Sequence, residues 1–166
     1  ALAARRGDRC CGLLTLASNP SFVAHEQWPS AMAGETFDAF LANDRTLADP
    51  EVVKVEPGAR VLLRVINAAA MSNFHFDLGA LTGELIAVDG FRVEPVKARR
   101  FPLAVAQRLD IRLTVPREAA SHPLLALLEG TARRTGSVLR AGAAPVPRIA
   151  ETAQAAAPAV TLDLES

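Results

Sequence analysis

The residues able to do metal or nucleophilic chemistry are few: three histidines and two cysteines in 166 residues. His75 and Asp77 stand two apart in Phe74-His75-Phe76-Asp77-Leu78, so on a strand both point to one face. That spacing can hold a metal, but two ligands without a third partner do not make a site. We read the pair as the exposed polar face of a half-buried strand. His25 sits beside Glu26 in a polar loop, and His122 precedes Pro123 where a strand begins; both are read as solvated. Cys10 and Cys11 are adjacent. Neighbours on a strand point to opposite faces, so a mutual disulfide would need a strained turn. With no C-x-x-C present, they are read as two small, half-buried apolar residues whose redox state stays open. No Ser lies in a G-x-S-x-G elbow. Gly79, Gly83 and Gly90 are too widely spaced for a phosphate loop, and no helix follows them. Asp89, Glu94 and Asp110 fall at turns and strand faces, and Arg99-Arg100 and Arg133-Arg134 read as solvated pairs. The residues therefore nominate no catalytic, cofactor-binding or metal-binding side chain in this chain.

The elements that would position such groups are strands. Arg60 to Asn67 alternates, with Val61, Leu63 and Val65 on one face and Arg64 on the other. Phe74, Phe76 and Leu78 point inward against His75 and Asp77. Leu109, Ile111, Leu113 and Val115 alternate with Asp110, Arg112 and Thr114, and Pro116 closes that strand. Phe101, Leu103 and Val105 alternate too. Shorter runs lie at Leu13–Ala17, Phe37–Ala42, Glu51–Val55, Leu85–Val88, Pro123–Leu128 and Gly136–Leu139. Turn signals separate them at Asn43-Asp44, Pro57-Gly58 and Asp89-Gly90. Ser18 to Thr36 reads as a long loop around Trp28. Eight to ten short strands with turns every 8–12 residues predict an all-β Greek-key sandwich or barrel, and no amphipathic helix separates strands as βαβ units require.

Composition bounds the partners. Eighteen basic residues balance eighteen acidic ones, which leaves no overall field for nucleic acid or an anionic membrane surface. Tyr is absent and there is one Trp, so stacking on bases or sugars has little to work with. No apolar run approaches the ~20 residues of a membrane-spanning helix. Half the residues are apolar, enough for a core of one ordinary domain. We assign residues 1–144 to that domain. The Ala/Pro-rich 145–159 is expected as a linker, its Ile149–Ala157 piece as a frayed helix or interdomain linker, and the tail after Pro145 as the first segment lost to protease. Residues 160–166, where Val160, Leu162 and Leu164 alternate, are expected to begin a following strand or domain.

Residues 38–115 carry a family resemblance. The blocks are Asp38-Ala39-Phe40-Leu41-Ala42-Asn43-Asp44-Arg45; Pro50-Glu51-Val52; and Val55-x-Pro57-Gly58-x-Arg60-Val61-x-Leu63-Arg64-Val65-Ile66-Asn67-Ala68-Ala69. Then come Phe74-x-Phe76-Asp77-Leu78-Gly79, Leu85-Ile86-Ala87-Val88-Asp89-Gly90-x-x-Val93-x-Pro95-Val96, and Gln107-Arg108-Leu109-Asp110-Ile111. Their order and spacing resemble the middle, plastocyanin-like domain of three-domain multicopper oxidases of the laccase and copper-resistance type. Phe40 and Leu109 stand where Tyr is usual in that family. Physically these are scaffold motifs: Asn67 ends a strand where its side chain can cap the loop Ala68–Asn73, and Asp110 can pair with an arginine across the sheet.

The resemblance implies a cupredoxin-like Greek-key β-sandwich. In that family the blue copper needs a Cys and two His with an axial Met or an apolar substitute, and the trinuclear cluster needs H-x-H pairs from the outer domains. This chain contains no H-x-H and no H-C-H. The implied role is that of a copper-free domain that spaces the copper-bearing domains and helps wall the substrate pocket. The implied parent takes single electrons from a phenol or a metal ion and reduces O₂ to water. Its implied partners are flanking cupredoxin domains of the same polypeptide, and the implied location is periplasmic or secreted. A copper-free adhesion or binding sandwich is the alternative. With exposed interdomain patches and zero net charge, the isolated chain is expected to self-associate.

Overall fold

The structure is a computed structural model and describes residues 9–19 and 39–159. His25, Trp28 and residues 160–166 lie outside these, as does most of the loop expected over Ser18–Thr36. Eleven strands and no helix make up the described residues. One sheet has six strands: β2 (Ala39–Ala42), β1 (Arg9–Asn19), β4 (Arg60–Asn67), β9 (Arg108–Thr114), β6 (Gly83–Val88) and β7 (Phe91–Ala98), in that order. The other has five: β3 (Val52–Val55), β11 (Arg134–Ala141), β10 (Ala120–Leu128), β5 (Phe74–Asp77) and β8 (Arg100–Leu103). The chain passes between sheets repeatedly, and two pairs, β1 with β4 and β3 with β11, are parallel. Such pairs cannot be joined as hairpins, so the topology is the crossed, Greek-key kind expected.

The alternation read in the sequence sets the core. Val61, Leu63 and Val65 of β4, Phe74 and Phe76 of β5, and Leu109, Ile111 and Leu113 of β9 are buried. Leu124 and Ala126 of β10 and Leu139 and Ala141 of β11 close the core from the facing sheet. Phe40 of β2 meets Phe74 edge to face, ring centres 5.5 Å apart at 87°, the geometry that aromatic quadrupoles favour. Asp89 and Gly90 both have positive φ, 51° and 87°. This is the twist that a two-residue hairpin turn requires.

One expectation needs correction. Val105 does not continue the inward row of Phe101 and Leu103; it is 40% exposed, because β8 ends at Leu103 and a turn over Ala104–Gln107 follows. The strand β7 carries no sequence signal: seven of its eight residues are exposed. A strand with no buried face has no hydrophobic period to read. It is an edge, and Pro95 with its flanking charges is the composition that keeps an edge from pairing indiscriminately.

Residues 145–159 form no helix. Main-chain bonds tie them to the loop between β10 and β11: Arg134 N–H to Glu151 O (2.9 Å), Ala153 N–H to Ala132 O (2.7 Å) and Ala157 N–H to Thr131 O (2.7 Å). Ala157 is buried. On the segment's own side the anchors are peptide groups, so Ala and Pro content does not reveal them.

Candidate functional site

One pole of the sandwich gathers the features that look outward. There β4 ends, β9 begins, β5 begins, β8 ends and the β6–β7 turn lies. Asn67, fully buried, organises it. Its side-chain amide donates to the carbonyls of Ser72 (2.8 Å) and Leu103 (3.3 Å), and its Oδ1 accepts from Ala69 N–H (3.0 Å). The loop 68–73 is thereby tied to the loop 104–107, as the capping role read in the sequence requires. Asn67 N–H also donates to Gln107 O, and Ala106 N–H to Asn67 O. Asn73 Oδ1 accepts from Val105 N–H (3.1 Å), and Gln107 Oε1 accepts from Ala104 N–H (3.0 Å). Asp89 Oδ1 accepts from Arg108 N–H (2.8 Å).

The polar groups of this pole are thus consumed internally, while Met71 (61%), Phe91 (79%) and Val105 (40%) stand exposed. Ala106 holds a positive φ of 62°, an uncommon state for a residue with a Cβ. An open cleft of about 540 Å³ runs between Asp89 and Ala104–Arg108. Chemically, a stiff polar frame under projecting apolar side chains is suited to packing against another surface. Replacing Asn67 by Ala leaves three backbone groups without their partner and is expected to cost about 2–3 kcal/mol. A denaturant titration with an unchanged midpoint would contradict this role.

The histidines and carboxylates do not converge. His75 and Asp77 do share the outer face of β5, half-buried. His75 Nε2 lies 3.0 Å from Pro158 O. Asp77 accepts from Arg100 (2.8 and 2.5 Å) and from Gly79 N–H (2.7 Å). Both are engaged in holding the protein's own chain. Among the described residues no three His, Cys, Asp or Glu side chains could hold a metal ion.

His122 departs from the solvated reading. It lies within β10 opposite Leu139, half-buried, and its Nε2 has no partner. Burial pushes its imidazole below the ordinary histidine value of 6.5. The folded state therefore binds fewer protons than the unfolded one, and stability should fall as pH drops below about 6.5. His122→Gln should flatten that acid-side slope in thermal melts; an identical slope would contradict the assignment.

The cross-sheet pairing expected of Asp110 forms, whereas Arg133 and Arg134, read as solvated, are half-buried, Arg133 over the Phe40 ring at 4.6 Å and Arg134 donating to Ala150 O. Arg64 lies opposite Asp110 across β4 and β9, at 3.7 Å. Arg112 reaches Glu84 at 2.5 Å, and that hydrogen bond holds the Glu84 carboxyl below the usual carboxylate range.

Comparison with known proteins gives the lineage. Residues 19–140 match the multicopper oxidase family. The chain belongs to that family. It is 30% identical over 108 residues to the multicopper oxidase MmcO of Mycobacterium tuberculosis, covering 65% of this chain and 21% of that protein. It is 38% identical over 55 residues to copper resistance protein A of Escherichia coli, covering 33% and 9%. In fold it is similar to Fet3p, a multicopper oxidase that functions in iron import, with a TM-score of 0.69 at 14% identity. It is likewise similar to the laccase from Botrytis aclada, at 0.67 and 19%. These matches cover 86% and 89% of this chain but 30% and 31% of the neighbours. The all-strand, two-sheet architecture is thus the cupredoxin-like fold of multicopper oxidase domains, and the chain spans about a fifth of the length of MmcO.

The sequence reading reached this pole's polar frame but not its exposed apolar residues. Asn67 was legible as a cap. Met71 and Phe91 were not, since a lone apolar residue in a loop or at a strand end carries no pattern.

Proposed function

We propose that this domain is the copper-free middle domain of a three-domain multicopper oxidase. The observation that carries the reading is the coverage: the domain aligns almost whole with 30% and 31% of two solved multicopper oxidases, the share of one domain in three. The scattered, self-engaged His and Asp side chains support the copper-free part of the reading.

In this reading the domain sets the distance between two copper-bearing cupredoxin domains, and the Met71–Phe91–Val105 pole packs against them and helps wall the substrate pocket. The whole protein takes one electron at a time from a phenol or a metal ion and passes four to O₂, giving water. It works in the periplasm or outside the cell. The isolated domain, with that pole bare and no net charge, self-associates near neutral pH.

The test is the coding sequence on either side. H-x-H pairs upstream and downstream with an H-C-H on the downstream side are expected. A continuous reading frame with neither would overturn the reading.

A further inference from the structure

The outer face of the six-stranded sheet carries two rows of charge that run across four strands. In one row Arg64, Asp110, Ala87 and Arg92 are successive register partners on β4, β9, β6 and β7. In the other, Leu62, Arg112, Glu84 and Lys97 are. Each row holds one carboxylate, and each carboxylate already has its arginine: Asp110 with Arg64, Glu84 with Arg112. Each row therefore ends, at the sheet edge, on a cation outside those ion pairs, although Lys97, opposite Glu84, also helps hold that carboxyl down. Among the described residues Arg92 and Lys97 make no ion pair, and both are exposed.

Two open grooves of about 440 Å³ each follow these rows. Arg60, Lys97 and Arg112 border one; Arg92 and Arg112 border the other, with Ile86, Val93 and Pro95 between them. With Arg64, the partner of Asp110, this face and β7 carry five cations against three carboxylates: Glu84 and Asp110, both already paired, and the exposed Glu94 of β7. This local surplus stands out in a chain of zero net charge.

We propose that β7 and the charged face beside it bind an extended acidic peptide segment, whose carboxylates complete the two rows beyond Arg92 and Lys97. Chemistry narrows the occupant. Arginine forks match carboxylates. The apolar floor between them suits a peptide whose acidic residues alternate with small apolar ones. An edge strand offers main-chain groups to an added strand. A second copy of β7 paired antiparallel about the point between Glu94 and Pro95 would set Arg92 of one copy against Lys97 of the other, a like-charge pair. No aromatic side chain lines either groove, which removes the stacking platform that nucleic acid would use.

The test uses the full 166-residue chain and a fluorescein-labelled peptide in which glutamate alternates with valine, read by fluorescence anisotropy. Saturable binding that weakens with added salt is expected. Arg92→Glu with Lys97→Glu should weaken it about ten-fold or more. Lys54→Glu with Arg148→Glu, two exposed cations elsewhere, changes net charge equally and should leave binding nearly intact. If the first pair fails to melt as a folded protein, the single substitutions carry the same expectation in smaller steps. No binding at low salt, equal loss in both pairs, or competition by heparin or single-stranded DNA as effective as by unlabelled peptide would each overturn the proposal.

Discussion

Gly136→Ala is expected to unfold the chain outright or lower its stability by more than about 3 kcal/mol. Gly136 lies on β11 opposite Leu125 of β10. A Cβ there would sit 2.2 Å from the carbonyl oxygen of Leu124 and 3.0 Å from the Cα of Leu125. Both are backbone atoms, so no side-chain rotation relieves the overlap, and the strands would have to part at the centre of the five-stranded sheet. That pair also carries β3 on one side and β5 on the other. Far-UV circular dichroism through a urea titration measures the effect. A midpoint equal to that of the parent chain would mean that β10 and β11 do not approach as described.

The second large effect separates two neighbours on β9. Ile111 is fully buried in the core, whereas Arg112 is exposed and holds Glu84 from outside. Ile111→Ala removes buried methyl groups and leaves a cavity, at a cost of about 2–5 kcal/mol. Arg112→Ala loses one surface ion pair, worth less than about 1 kcal/mol. The contrast tests the register of the strand that pairs with both β4 and β6. Equal costs in the same titration would place the strand a residue out of step, with its faces exchanged.

The elements legible in the sequence were those with one buried and one wet face. On β4, β5 and β9 the apolar residues mark the core one by one, and the turn at Asp89-Gly90 is marked by its residue types. Where burial and pattern part company, the sequence misleads or is silent. β7 is exposed on both faces, so Val93 and Val96 gave no period. Val105 keeps the alternation of Phe101 and Leu103 for two residues past the end of its strand. The docking of 150–158 rests largely on main-chain bonds, joined by His75 at Pro158 O and Arg134 at Ala150 O, and none of these partners is marked by its neighbours in sequence.

The candidate surface divides in the same way. Asn67 was readable, since an amide at a strand end has a local capping role. The exposure of Met71 and Phe91 depends on which loops share a pole, and that follows from topology alone.

The central claim is that this cupredoxin-like domain serves a multicopper oxidase without binding copper itself. Copper content decides it most directly. The chain is incubated with excess cupric and cuprous ions under exchangeable and reducing conditions, then dialysed. Metal is counted by mass spectrometry beside the visible spectrum. The account expects a colourless protein with far less than one copper per chain. One tightly held copper per chain, with the intense visible absorption of a thiolate–copper bond, would contradict it and turn attention to Cys10 or Cys11 as a ligand.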